Sequence, residues 1–171
     1  MQRLSVQLTP ETPDDWWEVE ALYDLCFAPG RTALSSYRLR DGVAPVADLC
    51  WTARDPDGVL AGVVRCWSVH VGDAVAVLLG PVAVHPTRQG EGVAALLMHK
   101  AIDTAYYAGW SRMLLVGDLP YYRRFGFDRL PGVVMPPPTN PDRVLGLPLK
   151  DNAWDRVRGV VRKADDCISI A

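Results

Sequence analysis

Residues 79–94 read LGPVAVHPTRQGEGVA, and this stretch decides the fold expected for the 171-residue chain. An apolar run ends at Val84, a short loop rich in glycine follows, and a helical pattern begins at Gly92. The first amides of a helix have no partner within it and lie at the positive end of its dipole, so this arrangement favours an anion site. Gly90 and Gly92 lack the Cβ atoms that would hold a bulky anion away, and Arg88 adds a cation nearby.

The loop by itself leaves the kind of anion open. A Walker loop ends in GK[ST], and no lysine or hydroxyl residue follows these glycines. A dinucleotide fingerprint, GxGxxG, needs a third glycine at a spacing that the chain lacks. A tight strand-to-helix connection without any ligand is the alternative interpretation, because short glycine patterns recur by chance.

Outward from this stretch, hydrophobic periodicity predicts the other elements. Strand patterns cover residues 4–8, 47–54, 59–71, 74–84, 113–116 and 144–149, and helical patterns cover residues 16–26, 92–108 and 119–125. This order predicts an α/β or α+β protein whose helices cover the faces of a sheet. Gly80 and Pro81 interrupt the apolar run 74–84, and because proline lacks a ladder donor they predict a bulge or an opening of the sheet.

Composition and charge argue against several classes of protein. Hydrophobic residues make up 49% of the chain, enough for a sizeable core, and the formal net charge is −2. That mild acidity, with no basic stripe, argues against a nucleic-acid partner. The apolar run 74–84 is too short to span a membrane, and residues 1–17 lack the apolar core of a signal peptide. We therefore expect a single soluble, cytoplasmic domain over residues 1–171 with no membrane partner.

The cysteines give no sign of a metal site. Cys26, Cys50, Cys66 and Cys167 form no CxxC pair and have no nearby histidine, whereas metal ligands must converge at short spacing. No metal is predicted. These thiols are expected to be buried small apolar groups in a reducing compartment.

Three motifs in order resemble those of one enzyme family. Residues 89–94, QGEGVA, resemble the Q/R-x-x-G-x-G/A signature of the GCN5-related N-acetyltransferase (GNAT) superfamily. Residues 114–118, LLVGD, and residues 121–127, YYRRFGF, are similar to its fifth strand and to its Y-x-x-x-G-F helix. The combination is particularly similar to the YhbS-like group of predicted acetyltransferases. The resemblance covers about residues 45–127.

The resemblance implies both a fold and a function. The fold would be a mixed, mostly antiparallel sheet that is splayed at its fourth strand and has helices on both faces. The function would be transfer of an acetyl group from the cosubstrate acetyl-CoA to an amine acceptor by direct attack, without a covalent enzyme intermediate. A non-catalytic acyl-CoA-binding or sensing module is the alternative. A homodimer, common in the superfamily, is compatible with both.

The resemblance also implies the binding residues. Backbone amides of residues 89–94 would hold the pyrophosphate, and the strand at residues 82–84 would pair with the pantetheine arm as though that arm were another strand. The predicted acetyl-CoA-binding residues are Val82, Ala83, Val84, Arg88, Gln89, Gly90, Glu91, Gly92, Val93 and Ala94.

Tyr122 matches the family position whose phenol protonates the departing thiolate, and a tyrosine with a pKa of about 10 is protonated at neutral pH. A core aromatic residue is the alternative interpretation of Tyr122. Its neighbour Tyr121 is expected to point in a different direction.

The base that would deprotonate the amine is not identified. His85 and Asp118 are weak candidates, while His70 and Asp73 are assigned to a solvated hairpin turn. The loops at residues 29–45 and 131–148 are expected to shape the acceptor pocket. Arg31, Arg38, Arg40 and Asp41 could select a charged substrate, but solvated loop charges are the commoner explanation and the one expected here.

Overall fold

The computed structural model describes residues 5–27 and 35–164 of the chain. Its strands are β1 Gln7–Pro10, β2 Trp51–Arg54, β3 Leu60–Val71, β4 Ala74–Val84, β5 Arg112–Val116, β6 Asp128–Arg129, β7 Val133–Val134, β8 Val144–Pro148 and β9 Gly159–Lys163. Its helices are α1 Trp16–Cys26, α2 Ser35–Arg38, α3 Val93–Tyr107 and α4 Leu119–Tyr122. In the described ranges no helix is both long and apolar enough to cross a membrane.

The strands form a mixed sheet with the order β1-β2-β3-β4-β5-β8-β6. Neighbouring strands in this order are antiparallel except β4 and β5, which are parallel because α3 connects them. Strand β9 pairs with the end of β3, and β7 pairs with β9. The predicted fold class, a mostly antiparallel sheet splayed at its fourth strand, is confirmed.

Alternating residues of β3 divide the core between the two faces of the sheet. Val64 and Cys66 pack in one cluster with the buried face of α3, whereas Val63 packs with α1 on the opposite face. The buried residues of α3 are Val93, Leu97, Met98, Ala101 and Ala105, at the spacing of one helical stripe. The helices therefore cover both faces, as the element order predicts.

Several predicted bounds differ from the structure, mostly where elements are short. The first strand is Gln7–Pro10 rather than residues 4–8, and residues 47–49 form a 3-10 helix before β2. Strands β6 and β7 have two residues each and β9 has five, and the periodicity did not identify them because so few residues show no pattern. Cys50 and Cys66 are buried and Cys26 is half-buried, whereas Cys167 lies outside the described residues.

Replacing Leu97 with alanine should lower the free energy of unfolding by about 2–5 kcal/mol, because it leaves a cavity between α3 and the sheet. Leu97 is fully buried, whereas its neighbour Leu96 is 37% exposed. Leu96→Ala is the control and should lower the free energy of unfolding by less than half as much. Urea denaturation of both variants measures the difference, and equal losses would contradict this packing.

Candidate active site

The sheet opens between β4 and β5. These two strands pair only at Val77–Met113 and Leu78–Leu114 in the described structure. On the other edge of β4, the register with β3 shifts between Val64 and Cys66, where Gly80 and Pro81 together face the single residue Arg65. The predicted bulge is therefore confirmed, and the parallel pairing ends just before it.

A cavity of about 530 Å³ fills the gap between β4 and β5, and we call it the cleft. Leu78, Gly80 and Val82 line it from β4, while Leu115 and Gly117 line it from β5 and the loop that follows. Residues of the loop at 138–143 lie along a further wall. Part of the segment 131–148, which is expected to shape the acceptor pocket, thus lines the cleft.

The glycine loop places the N-terminus of α3 without a side-chain cap. Gly90 and Gly92 have φ values of 84° and 85°, and a Cβ at either position would meet open space. Gly92 is the N-cap of α3, and the amide of Leu96 is bonded to the Gly92 carbonyl. The amides before Leu96 in the first turn therefore precede the first bond of the helix and suit an anion.

Two side chains of this loop, those of Arg88 and Val93, are not free to bind an anion. The Nε of Arg88 donates to Glu91 at 2.5 Å, and its Nη1 lies 3.6 Å from a carboxylate oxygen of Asp55. Its charge is thus shared with two carboxylates rather than left to an incoming anion. The side chain of Val93 is buried in the core, so only its backbone amide can serve a ligand.

Tyr122 lines the cleft and also packs against the core. Its ring lies beneath Gly117, where a Cβ would collide with it, and it contacts Phe127 edge-on at 6.2 Å between centroids. Burial raises the pKa of the Tyr122 phenol, and Tyr121 and Asp118 raise it further. The phenol is therefore a proton donor at neutral pH. Tyr121 also lines the cleft, and its ring stands at 89° to the ring of Tyr122 with 4.9 Å between the centroids.

A second cavity of about 820 Å³ lies beside the cleft, and we call it the side cavity. Its walls come from the start of the chain, from α1 and from residues 37–47, so the described part of the predicted loop 29–45 does line a pocket. Tyr37, Arg40 and Pro81 line both cavities. The two spaces therefore meet at the bulge in β4.

A buried ion-pair network forms one wall of the side cavity. Arg65 donates to both carboxylate oxygens of Glu11 at 2.7–3.1 Å and to Glu20 at 2.7 Å. Burial alone would lower the pKa of Arg65, but the hydrogen bonds to Glu11 and Glu20 raise it above its ordinary value. The sequence reasoning missed this network, although a charged residue inside the apolar run 59–71 was a usable signal.

The candidate bases are scattered by the fold. His85 accepts from the Thr87 amide at 3.2 Å and lies 2.8 Å from its hydroxyl, so it caps a turn, and it lines neither cavity. His70 is part of strand β3 opposite Val75, so its assignment to the hairpin turn is wrong. Asp118 does line the cleft, where its carboxylate is 3.7 Å from Arg143.

The comparisons with known proteins agree with this geometry. The model of the acetyltransferase (GNAT) family matches residues 16–127. YhbS of Escherichia coli K12, described as an uncharacterized N-acetyltransferase, is 29% identical over 120 residues, which are 69% of this chain and 71% of that protein.

Two solved structures share the fold over nearly the whole chain. The E. coli GNAT family N-acetyltransferase YhbS in complex with CoA aligns with a TM-score of 0.82 at 25% identity, covering 96% of this chain and 92% of that one. A GNAT family acetyltransferase from Brucella melitensis in complex with acetyl-CoA aligns with a TM-score of 0.72 at 25% identity, covering 95% and 97%.

The raised pKa of Tyr122 predicts that its phenol stays protonated above pH 10, where an ordinary tyrosine is half ionised. Because the unfolded chain loses this proton first, the free energy of unfolding should fall as pH rises past about 10. Tyrosine ¹³Cζ resonances titrated by NMR, with Tyr122→Phe used for assignment, measure the pKa directly. A Tyr122 resonance that titrates at or below pH 10 would contradict the burial described here.

Proposed function

The chain belongs to the acetyltransferase (GNAT) family, and on that premise we propose that it binds acetyl-CoA in the cleft and transfers the acetyl group to an amine. The split between β4 and β5, with Tyr122 on its wall, is the observation that carries this proposal. Solved structures of the same fold that hold CoA or acetyl-CoA support it. We treat residues 1–171 as one catalytic domain, because β8 and β9, beyond the family match, pair with β5 and β3.

The glycine loop and the open edge of β4 together would bind the cosubstrate. Amides of residues 89–94 face the pyrophosphate, whose charge the dipole of α3 stabilises. Residues 82–84 pair with β3 on one edge only, since the described pairing with β5 ends at Leu78. Their other edge offers the backbone groups with which the amides of a pantetheine arm would pair.

Direct attack then needs one proton donor and no covalent enzyme intermediate. An ammonium acceptor first loses a proton to solvent, and the lone pair of the neutral amine then forms the new C–N bond. The C–S bond breaks as CoA leaves as a thiolate, and the extra proton on the new amide nitrogen passes to solvent. The Tyr122 hydroxyl donates its proton to that sulfur and regains one from solvent. A phenol with a raised pKa suits this step because it remains protonated until the thiolate develops.

The side cavity would hold the acceptor. It meets the cleft at Pro81, so an amine held there can approach a thioester that lies beside the bulge. Tyr23 donates a hydrogen bond of 2.7 Å to the Pro81 carbonyl and so ties α1 to the point where the cavities meet.

Release of free thiol from acetyl-CoA, measured across a panel of amines, tests this function. Acceptor-dependent release, with the N-acetylated product identified by mass spectrometry, is the expected result. Tight binding of acetyl-CoA with no transfer to any amine would instead favour the acyl-CoA-binding or sensing module.

Gly92→Glu should weaken acetyl-CoA binding by at least about tenfold, because it adds bulk and negative charge where amides would meet pyrophosphate. Gly58→Glu is the matched control, since Gly58 has a φ of 81° and equally open surroundings in the turn between β2 and β3, and it does not line the cleft. Calorimetric titration of acetyl-CoA into both folded variants gives the comparison. Unchanged affinity for acetyl-CoA in Gly92→Glu would show that the pyrophosphate does not bind at this loop.

Tyr122→Phe should lower kcat on the order of 10²-fold with acetyl-CoA affinity nearly unchanged, because only the proton donor is lost. The ring contacts with Gly117 and Phe127 remain in this variant. Tyr106→Phe, on a ring that is 57% exposed on α3, should leave kcat unchanged. Near-native turnover in Tyr122→Phe, with chemistry shown to limit the rate, would exclude Tyr122 as the acid.

A further inference from the structure

Arg40 is a buried cation without a hydrogen-bond partner for two of its nitrogens. The residue is 8% exposed, and its Nε and Nη1 atoms are fully buried and unbonded among the described residues. The guanidinium lies over the Tyr37 ring with 4.4 Å between its carbon and the ring centroid. The expectation that this residue is a solvated loop charge is therefore wrong.

Burying such a side chain without a partner lowers the free energy of unfolding. Arginine is usually exposed or paired with a carboxylate, and an unpaired buried charge loses its hydration without compensation. Burial lowers the pKa of Arg40 to about 10, which reflects this loss. By contrast, Arg65 in the same cavity has two carboxylate partners. The fold thus leaves one of these two cations available for a partner that it does not itself provide.

The position of Arg40 indicates where that partner would lie. Arg40 lines both the cleft and the side cavity, so it stands where they meet. Its Nη2 is 3.7 Å from the place that a Cβ of Gly80 would occupy, at the bulge where β4 leaves β5. Since Nε and Nη1 are enclosed and Tyr37 covers one face, Nη2 is the nitrogen left to donate into the shared space.

We propose that Arg40 is a catalytic residue that stabilises the oxyanion formed when the amine attacks the thioester carbonyl, an inference that rests on the proposed function. As the C–N bond forms, the carbonyl π electrons move to oxygen, and Nη2 donates a hydrogen bond to that oxygen. The electrons then return to restore the C=O bond and expel the thiolate, which Tyr122 protonates. A buried, unpaired cation suits a negative charge that forms only in the transition state and intermediate.

A carboxylate on the acceptor is the other anion that could bind Arg40, and the geometry is less suited to it. Arginine binds carboxylates best with two parallel N–H donors to two oxygens. With Nε and Nη1 enclosed, only one such donor is available here. A single donor matches the single oxygen of a tetrahedral intermediate.

Arg40→Met is the first test, because it keeps an unbranched side chain that can fill the stem's position and removes the charged guanidinium. It should lower kcat by about 10²–10³-fold on neutral and carboxylate-bearing amines alike, with acetyl-CoA affinity within about twofold of the original protein. The melting temperature should stay level or rise, since an unpaired buried charge is lost. The control is Arg129→Met, which removes an exposed arginine 3.6 Å from Asp142 on the surface and should change neither quantity.

Infrared spectroscopy of bound ¹³C-carbonyl acetyl-CoA gives a second readout that needs no acceptor. In the original protein the thioester carbonyl stretch should shift to lower frequency than in solution, and in Arg40→Met most of that shift should disappear. Arg40→Lys, which keeps the charge, should retain part of the shift and part of kcat.

Three results would overturn the role of Arg40. These are a loss confined to carboxylate-bearing acceptors, a fall in melting temperature that accompanies the loss of activity, and an unchanged carbonyl frequency in Arg40→Met. Failure of the proposed function is a separate result. If the original protein binds acetyl-CoA but acetylates no amine, transfer fails, while the carbonyl frequency still shows whether Arg40 contacts the thioester oxygen.

Discussion

A proline in the middle of a central strand is the constraint on which the rest of the structure depends. Pro81 has no amide hydrogen, so β4 cannot continue a regular ladder through it. The register between β4 and β3 shifts at this point. The parallel pairing between β4 and β5 ends at Leu78, two residues before Gly80. The cleft and its meeting with the side cavity lie at that interruption, and Tyr122 lines the cleft.

Much of this arrangement could be predicted from the sequence because it is encoded locally. The Gly80-Pro81 pair, the glycines at 90 and 92 and the apolar stripe of α3 each act through the backbone or through a single helix. Residues whose roles depend on distant neighbours were not accessible in this way. Arg65 meets Glu11 and Glu20 across more than forty positions of sequence, and no periodicity records such a pairing.

The same limit explains why Arg40 was placed among solvated charges. A short polar segment rich in arginine is typical of a surface loop, and its burial becomes visible only when Tyr37 and the bulge of β4 surround it. His85 shows the opposite case, in which a residue type associated with catalysis stabilises a turn by accepting a hydrogen bond. Residue type suggests chemistry, but the fold decides which groups share a space.

Gly117 illustrates how tightly the proposed acid is held, and it has a consequence for the divergence of related chains. The Tyr122 ring occupies the volume that any side chain at position 117 would need. Positions 117 and 122 are therefore expected to vary together. A relative with a larger residue at 117 must have moved or replaced its tyrosine. Variation at a single glycine would then mark, in sequence alone, lineages in which this chemistry has been reorganised or abandoned.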